Sequence, residues 1–352
     1  MVAIENVEVI APHFKRRLSG VTSTLIQLIP AQVALGQKIA TLGPGLPERL
    51  PHIRFSDLFQ LWTPPAGRRM RIWHARRNIE MLPAILMRDV FRMPLRIVFT
   101  SASQRHHTGW TKWLISRMDA VVSTSEKTAS YLEVPSTVIM HGINADRFAP
   151  PTDKIEAKRA CNLDPQQNFV GCFGRIRHQK GTDLFVDAMI KLLPSRPQWS
   201  AVIAGRATEK HVTFEKSLRE KVEAAGLSER ILFVGEHKDI ERWYQALDLF
   251  VAPQRWEGFG LTPLEAMASG VPVLATDVGA FPELMKGGQD STGMIIPRDD
   301  LAAMEAGAGG IMDNNDARSL MAENALRHAR SRFAIETEAR RLAQLYNTIL
   351  NQ

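Results

Sequence analysis

One pattern recurs along the chain: a short run of Val, Ile and Phe, then turn formers, then a longer stretch with apolar positions at helical spacing. Unbroken apolar runs suit strands buried on both faces, so the pattern reads as alternating strand and helix around parallel sheets. In the first half it predicts strands at Val7 to Ile10, Lys38 to Leu42, Arg71 to His74, Arg96 to Thr100, Ala120 to Ser123 and Thr137 to Met140. In the second half it predicts Asn168 to Phe173, Ser200 to Ala204, Ile231 to Val234, Leu249 to Ala252, Val271 to Thr276 and Gly293 to Ile296. Each set suffices for one doubly wound, Rossmann-like sheet. The break is expected at Phe148-Ala149-Pro150-Pro151-Thr152, because consecutive prolines interrupt both helix and ladder. That gives domains 1–150 and 151–333. Beyond Asp316 the sequence turns to helix formers and no strand follows.

Length and composition agree with two packed domains: 352 residues, 45% hydrophobic and 23% charged. Two cysteines, Cys161 and Cys172, have no neighbours at metal-ligand spacing, which leaves buried thiols as the reading. The N-terminus carries Glu5 and Glu8 with no leader-like apolar stretch, and no run approaches the ~18 apolar residues of a spanning helix. A cytoplasmic protein, touching membranes only from the surface, is expected. Charge is divided unevenly: residues 1–150 hold 19 Lys+Arg against 10 Asp+Glu, and the remainder 25 against 27. An arginine-rich half favours phosphate- or carboxylate-bearing partners. Phe14 to Leu18, Arg68 to Arg71 and Met87 to Met93 interleave cations with large apolar groups, as a surface docking to anionic lipid would.

The sharpest chemistry lies in Val251 to Gly270, a strand, a glycine-containing loop and a helix. Gly258 and Gly260 let backbone approach a ligand, and a helix opening at Thr262-Pro263 turns free amides toward an expected anion. Glu257 and Glu265 bracket the loop, and carboxylates accept hydrogen bonds from sugar hydroxyls. A second loop, Gly174 to Gly181, follows the first strand of the second half and carries Arg175 and Lys180, two cations suited to a departing diphosphate.

These residues resemble the retaining glycosyltransferases of family 4, which have the GT-B fold. The carriers are the Glu257/Glu265 E-x7-E arrangement after Phe250-Val251-Ala252-Pro253, the Arg175/Lys180 pair after Gly174, and Gly270 to Gly279 with Pro282-Glu283. As a whole the chain looks like the lipopolysaccharide core mannosyltransferases of alphaproteobacteria. The resemblance implies two Rossmann-like domains facing a cleft, a nucleotide-sugar donor on the second, the acceptor on the first, and a closing helix, 334–352, packed back on the first. It implies that Glu265 binds ribose hydroxyls and Glu257 the donor sugar. Arg175 and Lys180 would bind the diphosphate, and Gly20, Gly174, Gly258, Phe259, Gly260, Leu261 and Thr262 would complete the donor site. It further implies GDP-mannose as donor substrate, no cofactor, and an anionic lipid A/Kdo acceptor reached at the cytoplasmic face of the inner membrane. No D-x-D motif is present, so metal independence is expected.

The first half departs from the family pattern. Only Gly20, in Arg17-Leu18-Ser19-Gly20, matches the usual glycine pair, and Ala102 stands where many members have a histidine. His106 or His107 is the candidate replacement, with His106 carried as catalytic. His74 is expected to be structural or acceptor-lining, Asp248 and Glu283 to orient loops, and Trp110 and Trp113 to pack. A UDP-glucose or UDP-galactose enzyme is the rival reading. A nucleic-acid-binding protein fits the pI of 9.6 but lacks RNA-module signatures, and Gly43-Pro44-Gly45 lacks the third glycine of a dinucleotide fingerprint.

Overall fold

The computed structural model describes residues 1–15 and 20–352 and divides the chain into two compact units. Unit 1 comprises Met1–Gly142 with Phe333–Gln352, and unit 2 comprises Ile143–Arg332. The division falls ahead of the proline pair because the intervening segment belongs to unit 2. There Phe148 meets Tyr244 edge-on at 5.9 Å, Gln245 donates to the Ala149 carbonyl at 2.8 Å, and Arg147 pairs with Glu241 at 3.0 Å.

Unit 1 holds strands β1 (Val9–Pro12), β2 (Ile39–Leu42), β3 (His52–Ile53), β4 (Arg71–Ala75), β5 (Leu95–Ser101), β6 (Ala120–Ser123) and β7 (Thr137–Val138). They form one parallel sheet in the order β3-β2-β1-β4-β5-β6-β7. Unit 2 holds β8 (Asn168–Phe173), β9 (Trp199–Ala204), β10 (Ile231–Gly235), β11 (Leu249–Ala252), β12 (Val273–Thr276) and β13 (Gly293–Ile296). Its parallel order is β10-β9-β8-β11-β12-β13. The two-sheet α/β class is therefore the observed one. The sequence pattern missed only β3, a two-residue edge strand too short to carry a period.

Both sheets are buried on both faces, as continuous apolar strands require: β1, β4, β9, β11 and β12 contain no exposed residue. The C-terminal stretch is two helices, Asn315–Arg332 in unit 2 and Ile335–Leu350 in unit 1. The second presents Ile335, Ala339, Leu342, Tyr346 and Ile349 along one stripe to Leu25, Leu28 and Ile29 of the Gly20–Ala34 helix. Polar straps fix it. Glu338 hydrogen-bonds His141 Nδ1 at 2.9 Å and the Gly142 amide at 2.8 Å, and Tyr346 Oη meets His74 Nδ1 at 2.5 Å.

Arg71 is buried, with its guanidinium donating to the carbonyls of Val7, Thr63 and Ile4 at 2.7, 3.2 and 3.0 Å. Arg68 is engaged by Glu8 at 3.1 Å. Arg71 is thus a strap inside unit 1, a correction to its expected place on a lipid-facing surface, while Arg69 is exposed and Arg68 and Met70 are half-buried. Most of the Phe14 to Leu18 segment lies outside the described residues.

Candidate active site

In open parallel sheets a ligand crevice forms beyond the carboxyl ends of the strands where the order reverses. In unit 2 that point lies between β8 and β11, and the loops leaving these two strands carry ten of the residues singled out above. The β8 loop holds Gly174, Arg175 and Lys180. The β11 loop and the Thr262–Ala268 helix after it hold Glu257, Gly258, Phe259, Gly260, Leu261, Thr262 and Glu265.

Glycine makes the approach of the two loops possible. Gly181 sits at φ +69, and a Cβ there would stand 1.8 Å from the Pro253 carbonyl oxygen. Across that contact the Arg255 amide donates to the Gln179 carbonyl at 3.0 Å, and Gln179 Nε2 donates to the Trp256 carbonyl at 3.3 Å. The Arg255 side chain rivets the pair: it donates to the His178 carbonyl at 2.6 Å and to the Asp183 carboxylate at 2.7 and 2.9 Å, and also engages Asp299.

On this frame Glu257 and Lys180 form an ion pair, while the other Glu257 oxygen accepts from the Gly258 amide at 3.0 Å. Both side chains keep about one-fifth of their surface in solvent, 19% and 20%. Gly260, at φ +88, lies so close to Phe281 that a Cβ would come within 2.2 Å of the ring and 2.9 Å of Glu257 Cγ. The loop can fold over Glu257 only with glycine at this position. Phe259 is buried, and Leu261 and Thr262 are half-buried. Arg175 is half-buried on its loop, and Gly174, at φ +137, has nothing within 4 Å of a Cβ among the described residues.

Glu265 has a different environment. Its Oε2 accepts from Tyr244 Oη at 2.8 Å, and Tyr244 is itself fully buried against Phe173 and Phe250 at 4.8 and 5.3 Å. Burial pushes the Glu265 carboxyl above its ordinary range although the Tyr244 hydrogen bond opposes the shift. Burial, reinforced by Glu265, holds the Tyr244 phenol well above its usual value, so it stays a proton donor. Cys172 beneath is pushed up to about 12 by burial and is inert as a thiolate. The two carboxylates therefore differ in kind: one is a half-open ion-pair partner and the other is oriented by a buried phenol.

In unit 1 the outcome is mixed. Gly20 begins the Gly20–Ala34 helix with room for a Cβ among the described residues, and Arg17 to Ser19 lie outside them. His106 is exposed and meets Tyr131 edge-on at 5.3 Å. His107 has a buried Nε2 with no hydrogen-bond partner among the described residues. His74 is fully buried, satisfied at Nδ1 by Tyr346 and at Nε2 by Thr100 at 2.6 Å, so it is structural rather than acceptor-lining. Asp248 accepts from the Phe169 amide at 2.9 Å and pairs with Lys158 at 3.2 Å, tying β8 to β11. Trp110 and Trp113 are a correction: their rings stack at 5.2 Å but stand 53% and 42% exposed, outside any core.

Sequence reasoning missed Tyr244, Arg255, Asp183 and a buried network at the ends of β1 and β4. In that network Arg77 reaches His13 Nδ1 at 3.0 Å and Glu80 at 2.9 Å, and Glu80 also accepts from the Arg76 amide at 2.7 Å. Burial, and then Arg77, lowers His13 to about 4. Tyr244 and Glu265, Arg255 and Asp183, and Arg77 and His13 are joined across 21, 72 and 64 residues, whereas Glu80 lies within four residues of both Arg76 and Arg77.

Comparison with known proteins bears on this geometry. Residues 153–328 match the family described as Glycosyl transferases group 1. The chain is 65% identical over 350 residues to the lipopolysaccharide core biosynthesis mannosyltransferase LpsB of Rhizobium meliloti (strain 1021), covering 99% of this chain and 100% of that protein. It is 55% identical over 350 residues to the lipopolysaccharide core biosynthesis mannosyltransferase LpcC of Rhizobium leguminosarum bv. viciae, covering 99% of each. Among solved structures, Anabaena Alr3699/HepE in complex with UDP superposes with a TM-score of 0.83 at 18% identity, covering 97% of this chain and 100% of that one. That likeness, over nearly the whole length, shows the GT-B fold.

Proposed function

Because the chain belongs to the group 1 glycosyl transferases, we propose that this glycosyltransferase moves mannose from GDP-mannose to the Kdo region of the lipopolysaccharide inner core on a lipid A precursor. The observation that carries the reading is the coupling, in unit 2, of a Glu257–Lys180 pair and a Tyr244-oriented Glu265 on two glycine-closed loops at the sheet's reversal point. Mannose and the core acceptor are supported by the 65% and 55% identical relatives over their full length.

In this reading Glu265 holds the ribose hydroxyls and Glu257 those of the mannose. Lys180 and Arg175 neutralise the diphosphate as the bond from the sugar's anomeric carbon to the leaving phosphate oxygen breaks. The loop amides from Gly258 to Leu261 take part in holding the same anion. The acceptor hydroxyl forms the new bond to that carbon from the face the leaving group departs, and its proton passes to a leaving-phosphate oxygen. Configuration is retained, and the step needs neither a protein base nor a divalent ion. The missing D-x-D motif supports the metal-free form.

The acceptor is an anionic glycolipid, and unit 1 fits a lipid surface. Phe59, Trp62, Val90 and Phe91 are exposed apolar side chains on two segments that also carry exposed Arg54 and Arg92, and Trp62 Nε1 donates to the Phe91 carbonyl at 2.8 Å to join the two segments. No helix among the described residues is long and apolar enough to cross a membrane.

The test is a thermal-shift series with GDP, UDP, GDP-mannose and UDP-glucose without added metal, followed by transfer to a Kdo-bearing lipid A precursor with and without EDTA. Selective stabilisation by the guanosine ligands and EDTA-resistant transfer are expected. Stabilisation by the uridine ligands alone would move the donor assignment to UDP-glucose or UDP-galactose.

A further inference from the structure

The Gly109–Ile115 helix of unit 1 turns Thr111, Leu114 and Ile115 inward. Its position is set by Thr108, whose hydroxyl accepts from the Thr111 amide at 3.4 Å, and by Asn78 Nδ2, which donates to Thr111 Oγ1 at 2.7 Å. With the inward face fixed, Trp110 and Trp113, one helical turn apart, are held outward as a stacked pair with rings 15° from parallel. Two large indoles in solvent are costly unless something covers them.

Beside the pair lies a cavity of about 330 Å3 whose walls include His107, Lys112, Trp113, Tyr131 and Glu133. That volume falls within the range of small-molecule sites. Its polar groups are of both kinds: Lys112 donates to Glu133 across the wall, and His107 presents a buried Nε2 with no partner among the described residues. A buried ring nitrogen left unbonded is unfavourable and calls for a hydroxyl or water opposite it. Tyr131 and Trp113 add aromatic surface. In the wall Lys112 and Glu133 pair with each other, and positive charge is added from outside it by Arg105, which acts on His107, and by Arg117, whose guanidinium lies 5.5 Å from the centre of the Trp113 ring.

Aromatic wall residues, mixed donors and acceptors, and cations close outside the wall together match a pyranose ring carrying a carboxylate. We propose that this cavity, with Trp113 in its wall and Lys112 and His107 as its polar contacts, is a binding subsite for an acidic sugar of the acceptor. The identification of the sugar as part of the acceptor rests on the proposed function; the cavity's preference for an acidic saccharide does not.

The experiment is saturation-transfer NMR on the full chain with free Kdo, mannose as the neutral control, and the variants Trp113→Ala and Lys112→Ala. Both side chains are substantially exposed, so the variants are expected to fold, and a thermal-shift response to GDP-mannose checks each one. Expected is a Kdo signal that mannose does not reproduce, weakened about five- to tenfold in apparent affinity by Trp113→Ala, with the donor response unchanged. An equal Kdo titration in wild type and both variants overturns the subsite and leaves the donor reading standing. A Trp113-dependent Kdo signal without any response to GDP-mannose supports the subsite and overturns the donor assignment. Loss of binding to anionic vesicles in Trp113→Ala, with no Kdo signal in wild type, overturns the subsite in favour of a lipid contact.

Discussion

The two units share one architecture and concentrate chemistry differently. In unit 2 the candidate groups sit on two loops joined by backbone and ion-pair contacts, with Gly181 and Gly260 permitting approaches that any side chain would block. In unit 1 the comparable sheet edge is filled by buried histidines, arginines and a carboxylate, and the exposed chemistry lies on a helix flank and an aromatic patch. A donor with a fixed diphosphate needs preorganised cations and acids. A large, variable acceptor is better served by a broad, weaker surface, where each contact contributes little.

Six substitutions and one change of pH test that contrast. Glu257→Gln and Lys180→Ala are each expected to lower transfer by about 10² to 10³ while leaving the melting temperature close to wild type, measured by initial rates and thermal melts. His106→Ala, on the exposed loop of unit 1, should change rate far less; a loss matching that of Glu257→Gln would place the essential chemistry in both units. Gly181→Ala combines a φ of +69 with a backbone clash and should cost at least ~1–3 kcal/mol, read as a fall of several degrees in melting temperature. Gly20→Ala, with nothing within 4 Å of its Cβ among the described residues, should melt like wild type.

Tyr244→Phe removes one hydrogen bond to Glu265 and should weaken donor binding about two- to tenfold, measured by titration calorimetry, with the fold intact. The smallest effect is acid sensitivity. Burial depresses His13 to about 4 and holds His74 and His107 below their ordinary value, so the unfolded chain binds more protons than unit 1 as pH falls below 6.5. Their contribution to stability is present above that pH and is lost downward toward the folded values. Glu265 in unit 2 has a raised value and works the other way, its penalty being relieved as pH falls. His328 partly offsets this, since burial lowers it as well. Hydrogen exchange at pH 7 and pH 5 should therefore show protection lost first around β1 and β4; earlier loss around β8 and β11 would reverse the contrast.

The unevenness also explains what could be read before the fold was known. The two sheets were legible because parallel strands buried on both faces must be continuously apolar, and the β11 loop was legible because Glu257, Gly258, Gly260 and Glu265 lie within nine residues of one another. Tyr244 was not, since its role depends on a phenol reaching Glu265 from another helix. Arg255 sat in the motif without a sign that it would bind Asp183, far off in sequence. Trp110 and Trp113 were misread because helical spacing shows that two indoles share a face but not whether that face is covered. Arg71, in an arginine run that resembled a surface, is buried because three backbone carbonyls converge on its guanidinium.

The central claim is that the Lys180–Glu257 pair on the β8 and β11 loops is the seat of the donor. Titration calorimetry of the full chain with GDP-mannose in metal-free buffer, comparing wild type with Lys180→Ala, tests it most directly. The account predicts binding without metal and a loss of affinity of at least about tenfold in the variant, the scale of one charge-assisted contact. Equal affinities in the two proteins would contradict it.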